Sequence, residues 1–132
     1  MRDPNNPCLF CNINESGLTK ENDLAYASYD SYPVTDLHCL IIPKRHVKNY
    51  FDLSEDEVIA CNDLIKDIKK EIESKDPTVK GFNIGSNVGK VSGQSIFHCH
   101  IHLIPRREGD VDNPQGGVRS VVPLKQHYIR KA

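Results

Sequence analysis

Three histidines occupy alternate positions of one otherwise apolar segment. Ser95–Ile104 reads Ser-Ile-Phe-His-Cys-His-Ile-His-Leu-Ile, with the imidazoles at His98, His100 and His102. Side chains of a strand alternate between two faces, so a strand here places the three rings on one face over roughly 13 Å. Each ring needs hydrogen-bond partners, which makes the row poor core material. The row suits proton transfer, anion contact, metal ligation or nucleophilic attack, the alternative being an exposed polar face without chemistry.

A glycine-rich segment, Gly81–Ser95, leads into the histidines. It does not match the phosphate loop G-x-x-x-x-G-K-[ST], because only three residues separate Gly85 from Gly89 and no hydroxyl residue follows the lysine. A glycine-rich loop can still bring backbone N–H groups close to a phosphate. Gln94 and Ser95 stand at its exit, where they are able to donate hydrogen bonds to phosphate or leaving-group oxygens.

The five cysteines include one closely spaced pair, Cys8-x-x-Cys11. The N-terminus lacks the apolar stretch of a secretory signal, and in such a chain this spacing indicates metal or redox chemistry before a structural disulfide. Zinc, a redox pair and two buried thiols all remain open from the spacing alone. We predict that Cys39, Cys61 and Cys99 are small core residues.

One long helix positions these segments. Ser54 and Glu57 form an S-x-x-E capping box at its start, and Asp76-Pro77 ends the helical pattern. Its apolar residues recur at helical spacing and predict one buried stripe: Val58, Cys61, Leu64 or Ile65, Ile68 and Ile72.

Strand patterns flank this helix. The predicted strands are Leu24–Ser28, Cys39–Ile42, Val79–Ile84 and Ser95–Ile104. Two strands, a helix and two further strands predict an α+β fold with a mainly antiparallel sheet.

Composition narrows the class of protein. The 132 residues suit one domain, and the net charge is -1. The densest basic stretch is Lys44, Arg45 and Lys48, too few cations for a nucleic acid polymer to be an expected partner. No apolar run approaches the ~20 residues of a membrane span. We therefore expect a cytoplasmic protein without nucleic acid or membrane partners.

The segment Gly93–Arg106 resembles the signature of the histidine triad (HIT) family, G-Q-[ST]-φ-x-H-φ-H-φ-H-φ-φ. The resemblance continues in Asp30, in His38–His46 and in the opening Cys8–Cys11, all in family order. These matches cover a core of about residues 8–108 within a single domain, 1–132, and leave a C-terminal extension, 109–132. The resemblance implies a HIT-like antiparallel sheet of about five strands with one long helix.

The resemblance also implies a mechanism. HIT proteins hydrolyse or transfer nucleoside monophosphate groups, usually adenylyl, through a nucleotidyl-histidine intermediate. His100 matches the nucleophile, His102 and His98 match contacts to phosphate oxygens, and His38 matches a fourth histidine that orients the triad. Substrate contacts are implied at Asp30, which matches the ribose-binding acid, and at Asn83, Gln94 and Ser95 on the phosphate or leaving group.

Family members with the cysteine pair bind zinc, and the resemblance implies a structural Zn²⁺ held by Cys8, Cys11, His46 and His98. No organic cofactor is implied. His102–Asp110 is more similar to the dinucleoside polyphosphate hydrolase branch, which favours diadenosine polyphosphates as substrates and an adenine nucleotide as ligand. The family forms homodimers, so we expect one here. The alternatives are a nucleotidyltransferase or phosphorylase, and a zinc-stabilised nucleotide-binding signalling module with little turnover.

Overall fold

The computed structural model describes residues 7–13 and 17–131, and its centre is a five-stranded antiparallel sheet with one long helix. The elements are β1 (Lys20–Glu21), β2 (Ala25–Tyr29), β3 (Cys39–Pro43), α1 (Glu55–Lys75), β4 (Val79–Gly85) and β5 (Ile101–Arg107). The strand order across the sheet is β1-β2-β3-β5-β4. The predicted α+β fold is confirmed. The predicted domain, 1–132, includes residues 1–6, 14–16 and 132, which lie outside the described part.

The helix α1 begins where the capping box predicts. The Ser54 hydroxyl accepts a hydrogen bond from the Glu57 amide at 3.2 Å, and the Glu57 carboxylate accepts one from the Ser54 amide at 2.8 Å. Asp76 caps the other end, directly before Pro77. Four residues of the predicted stripe are buried, and they pack on the sheet: Cys61, Leu64, Ile68 and Ile72.

The two faces of the sheet bury different clusters. Cys39 and Ile41 of β3 and Leu103 of β5 face α1 and belong to the larger core. The alternate residues Leu40 and Ile42 face the opposite way and pack with residues of the N-terminal segment. Cys39, Cys61 and Cys99 are all buried, as predicted. Because side chains alternate along each strand, the polar side chains of β5 lie on this second face.

The predicted strand Ser95–Ile104 is wrong at its start. The strand β5 begins at Ile101, where pairing with β3 starts, and it continues to Arg107 against β4. The Cys99 amide instead donates to the Val47 carbonyl at 2.7 Å, so the chain before β5 is tied to a loop and not to a strand. The other three predicted strands begin and end within one residue of the observed β2, β3 and β4. The short strand β1 was not predicted.

Within the described residues, none of the helices combines the length and apolar character that crossing a bilayer would require.

Candidate active site and metal centre

The four predicted metal ligands lie together beside the second face of the sheet. Their donor atoms, Sγ of Cys8 and Cys11 and Nδ1 of His46 and His98, lie within 4.8 Å of one another. The His98 nitrogen is 3.3 Å and 3.4 Å from the two sulfurs and 3.2 Å from His46 Nδ1, and Cys11 Sγ is 3.2 Å from His46 Nδ1. Tetrahedral zinc, with Zn–S of ~2.3 Å and Zn–N of ~2.0 Å, requires S–N and N–N separations of about 3.5 Å and about 3.3 Å. The arrangement fits zinc.

Neighbouring backbone groups orient these ligands. His98 Nε2 lies 2.8 Å from the Pro43 carbonyl oxygen, which can only accept, so Nε2 carries the proton and Nδ1 presents its lone pair to the sulfurs. The buried Tyr26 hydroxyl donates to the Phe10 carbonyl at 2.6 Å and so holds the turn between the two cysteines. Burial and the nearby Cys8 and Cys11 raise the pKa of Tyr26, which keeps this hydroxyl a donor.

His100, the predicted nucleophile, lies directly before β5 and is 8% exposed. Its Nδ1 lies 2.9 Å from the His98 carbonyl oxygen, so Nδ1 is the protonated nitrogen and Nε2 keeps a lone pair. The Ser86 hydroxyl donates to the His100 carbonyl at 2.7 Å, and the Phe10 ring packs edge-on against the imidazole at 5.0 Å between centroids. Backbone and ring contacts therefore fix both the tautomer and the position of His100.

A hydrogen bond joins His38 to His102, and the Asp30 carboxylate lies beside it. The Val34 amide donates to His38 Nδ1 at 3.1 Å, so the His38 proton lies on Nε2, which donates to His102 Nδ1 at 2.9 Å. The Asp30 carboxylate is 3.5 Å from the same His38 Nε2. His102 consequently keeps its proton on Nε2, and its ring is 5.3 Å from that of His100.

Burial is the main cause that lowers the pKa of His102, to about 4, with His100 and His38 adding to it. Burial also lowers the pKa of His38, against the opposing effect of Asp30. Both rings are therefore neutral near pH 7. Asp30, His38 and His102 group three possible metal donors, yet the proton on His38 Nε2 lies among them, which favours a hydrogen bond between the two histidines over a cation site.

An open cleft of about 1340 Å³ adjoins this histidine pair and is lined in part by His38, His102, Asn83 and Arg106. Asn83 Oδ1 accepts from Arg106 Nη1 at 2.7 Å, so the free edge of its amide is a donor. Among the predicted substrate contacts, Asn83 is the one that lines the cleft.

The other polar residues predicted at the substrate are placed differently. Gln94 is buried, and its amide accepts from the Gly89 amide at 2.9 Å and donates to the Lys48 carbonyl at 2.6 Å, so in this structure it braces the glycine-rich loop. Ser95 is exposed and lies outside the cleft lining. Asp30 has one carboxylate oxygen bound by the Tyr32 amide at 2.9 Å.

Sequence reasoning missed two residues that contact His100. Phe10 lies between the two cysteines beside the equally apolar Leu9, and the sequence gives no signal that separates the two. Ser86 lies in the glycine-rich loop, and its hydroxyl among glycines was the available signal. Their contacts depend on how two distant loops meet.

The HIT domain family model matches residues 13–109. The chain belongs to the histidine triad family. Its curated relatives include an uncharacterized 16.1 kDa HIT-like protein of Mycoplasma pneumoniae, 35% identical over 79% of this chain and 74% of the relative. An adenylylsulfatase of Arabidopsis thaliana is 38% identical over 80% and 55%, and an adenosine 5′-monophosphoramidase of Candida albicans is 29% identical over 76% and 71%.

Solved structures agree with this HIT assignment. A HIT family protein from Bacillus anthracis has a TM-score of 0.72 at 32% identity, covering 80% of this chain and 77% of its own. A zinc-bound histidine triad protein from Mycobacterium smegmatis has a TM-score of 0.69 at 28% identity, covering 79% and 78%. The five-stranded sheet with one helix is the HIT fold, and a zinc-bound example of it exists.

Proposed function

We propose that this HIT protein is a nucleotide hydrolase that cleaves a phosphoanhydride or phosphoramidate bond at a nucleoside α-phosphate through a nucleotidyl group on His100. The observation that carries the proposal is the tautomer of His100. Its Nδ1 proton is committed to the His98 carbonyl at 2.9 Å, which leaves an unprotonated Nε2 next to His102. A neutral imidazole nitrogen with a free lone pair is a competent nucleophile toward phosphorus.

The reaction proceeds in two displacements. The His100 Nε2 lone pair forms a bond to the α-phosphorus while the bond to the leaving oxygen or nitrogen breaks, and the leaving group takes a proton from solvent. Water then attacks the phosphorus and the N–P bond returns its electron pair to Nε2. The products are a nucleoside monophosphate and the protonated leaving group, and the water proton is released.

His102 assists as a neutral donor. Because His38 Nε2–H is bound to His102 Nδ1, the His102 Nε2–H is the group available to a phosphate oxygen. Preorganised donors aimed at developing charge supply a large share of enzymatic rate enhancement. Asp30 would bind the ribose hydroxyls, Asn83 a phosphate or leaving-group oxygen through its amide N–H, and Ser95 the leaving group.

An adenine nucleotide is the proposed substrate, and diadenosine polyphosphates are the candidates indicated by the sequence. The names of two relatives, an adenosine 5′-monophosphoramidase and an adenylylsulfatase, share an adenosine 5′-phosphoryl group and support this class. A transferase or phosphorylase would differ only in the acceptor that cleaves the adduct. A binding module would bind the nucleotide without forming the nucleotidyl adduct.

We further propose that Cys8, Cys11, His46 and His98 hold one structural Zn²⁺. The four protein ligands close the site, so the ion would stabilise the fold and anchor the loop before β5 without touching substrate. Two thiolate ligands suit a reducing compartment, consistent with a cytoplasmic location. The proposed homodimer would cover the outer edge of the sheet, where Ile84 of β4 is 51% exposed.

The test of the hydrolase is a substrate panel. Adenosine 5′-phosphoramidate and diadenosine polyphosphates are incubated with the wild type, His100→Ala and His100→Asn, and products are resolved by chromatography. Asn keeps an N–H near the position of Nδ1 but has no nucleophilic nitrogen, so both variants should lose activity by roughly a thousandfold or more. Near wild-type turnover by the folded Asn variant would refute nucleophilic catalysis by His100.

A further inference from the structure

Arg106 of β5 holds the side-chain amide of Asn83 on the neighbouring strand β4. The two residues lie diagonally across the strand pair, since Asn83 is opposite Ile104, and Arg106 Nη1 donates to Asn83 Oδ1 at 2.7 Å. A guanidinium can only donate hydrogen bonds, so the amide oxygen is the end that faces Arg106. The Nδ2 end, which lies close to Gly117, is therefore the one available to a ligand in the cleft that Asn83 lines.

Asp110 fixes the other side of the Arg106 guanidinium. Its two carboxylate oxygens accept from Arg106 Nε and Nη2, both at 2.8 Å, in a bidentate pair. One of these oxygens also accepts from the Arg107 amide at 3.1 Å. The bonds from Arg106 above all hold the pKa of Asp110 below its ordinary value, so this carboxylate is ionised at neutral pH. Asp110, Arg106 and Asn83 thus form one hydrogen-bonded chain.

The ion pair leaves Arg106 poorly suited to bind a phosphate itself. Three of its five N–H groups are engaged by Asp110 and Asn83. Its positive charge is balanced by a carboxylate at hydrogen-bond distance, and the two side chains are only 24% and 21% exposed. A cation whose charge is compensated in this way attracts a second anion weakly. Its effect on a bound anion therefore passes through Asn83.

The orientation of the Asn83 amide decides whether it attracts or repels a phosphate. The two ends of an amide have nearly the same shape, and a half-turn about χ2 exchanges the donor N–H groups and the acceptor oxygen. A phosphate oxygen is negative and accepts hydrogen bonds, so the N–H end stabilises it and the oxygen end repels it. Arg106 is the donor that selects the N–H end for the cleft.

We propose that Arg106, itself anchored by Asp110, is a positioning residue that keeps the Asn83 amide turned with its N–H toward a phosphate or leaving-group oxygen of the substrate. This inference rests on the proposed hydrolase and on Asn83 as one of its substrate contacts. An amide that is held in advance does not have to be ordered when the substrate binds, and preorganised donors stabilise developing charge best. Arg106 then acts on the reaction without touching the substrate.

The test is a double-mutant cycle on kcat/KM for adenosine 5′-phosphoramidate. The variants are Arg106→Met, which keeps a long side chain and removes every N–H, Asn83→Ala, and the two combined. If Arg106 acts through Asn83, its replacement has no further effect once the Asn83 amide is gone. Thermal unfolding confirms that each variant is folded. Asp110→Asn, which weakens the anchor of Arg106 and keeps its side chain, takes the place of Arg106→Met in the cycle if that variant does not fold.

The matched control is Arg107→Met, at the adjacent residue of β5. Its guanidinium donates to Asp76 and to the Asp36 carbonyl, both at 3.0 Å, and so belongs to a different set of bonds. A second readout does not depend on turnover. The side-chain amide resonances of Asn83 in ¹⁵N-labelled protein, assigned by their loss in Asn83→Ala, should shift in Arg106→Met and stay in place in Arg107→Met.

We expect Asn83→Ala to lower kcat/KM by about tenfold or more, and Arg106→Met by about fivefold to tenfold. The double variant should match Asn83→Ala within about twofold, and Arg107→Met should match the wild type within the same range. The amide resonances should follow the pattern given above.

Three results would overturn the positioning role while the hydrolase stood. Effects that multiply in the double variant would show that Arg106 contacts the substrate itself. Wild-type activity in Arg106→Met would show that the amide needs no anchor, and wild-type activity in Asn83→Ala would remove the contact that Arg106 is proposed to position. A wild type that cleaves neither adenosine 5′-phosphoramidate nor a diadenosine polyphosphate would refute the hydrolase, and the role of Arg106 with it.

Discussion

Replacing Glu57 by Gln should destabilise the protein by about 2 kcal/mol. The Glu57 carboxylate is 3% exposed and accepts from Arg45 Nη2 at 2.6 Å, Arg45 Nε at 3.0 Å and the Ser54 amide at 2.8 Å. This one group joins the start of α1 to the residue before His46, a proposed zinc ligand. The variant removes the charge while keeping the shape of the side chain.

The magnitude follows from the pKa of Glu57, which the hydrogen bonds from Arg45 above all lower from 4.5 to about 2. At ~1.36 kcal/mol per pH unit, this difference corresponds to about 3.4 kcal/mol as an upper value. Arg45 is 58% exposed, so solvent screens the pair, and Gln retains a neutral hydrogen bond. About 2 kcal/mol remains, equivalent to a fall in Tm of about 6–8 °C for a chain of this size.

The assay is urea unfolding followed by circular dichroism at several pH values. Because the folded-state pKa of Glu57 is depressed, its stabilisation is complete above pH 4.5 and is lost as the pH falls toward about 2. The gap between wild type and variant should therefore narrow below pH 4.5. Glu55→Gln, an exposed acid of the same helical turn, is the control. A gap under about 0.5 kcal/mol at pH 7, or one that is unchanged at pH 3, would refute this reasoning.

Further predictions concern the proposed zinc site and the His38–His102 hydrogen bond. Cys11→Ser should reduce the bound zinc from about one ion per chain, as measured by elemental analysis. This variant should have a clearly lower Tm and little change in nucleotide affinity. The control Cys61→Ser, at a buried cysteine outside the proposed site, should keep its zinc. His38→Phe should lower kcat by about tenfold to a hundredfold with less change in KM, because His102 Nδ1 loses its donor; equal kcat in steady-state assays would contradict this. The His102 ring should stay neutral from pH 7 down to about pH 5 in NMR titrations, because its pKa is about 4. The contribution of this neutral ring to the free energy of unfolding is complete above pH 6.5. It should be lost as the pH falls from 6.5 toward 4. A ring that titrates near 6.5 would show that His102 is not desolvated.

Local sequence rules predicted the elements of the fold well. The Ser54 and Glu57 capping box set the start of α1, and period-two alternation separated Leu40 from Cys39 and Ile41, because these signals act within a few residues. The metal cluster was indicated by the Cys8 and Cys11 spacing and completed by the family resemblance. Such features need no knowledge of how distant segments meet.

Long-range contacts account for what the sequence left out. The strand pattern ran back to Ser95, yet the Val47 carbonyl captures the Cys99 amide, a contact that no local rule reveals. Gln94 was expected at the substrate because its amide can donate, but that N–H group donates to the carbonyls of Lys48 and Ile96. The segment beyond residue 112 shows no helical or strand period in the sequence, yet it forms a short 3-10 helix over Gly117–Val121 and is closed by hydrogen bonds from Gln126 and His127.

The most direct test of the central claim is to trap the nucleotidyl group on His100. The protein is mixed with adenosine 5′-phosphoramidate, quenched within one turnover in alkaline denaturant to preserve the N–P bond, and digested for peptide mass spectrometry. The adenylyl group should be found on His100 in the wild type and be absent from His100→Asn. Turnover without an adduct, or an adduct on another residue, would contradict nucleophilic catalysis by His100.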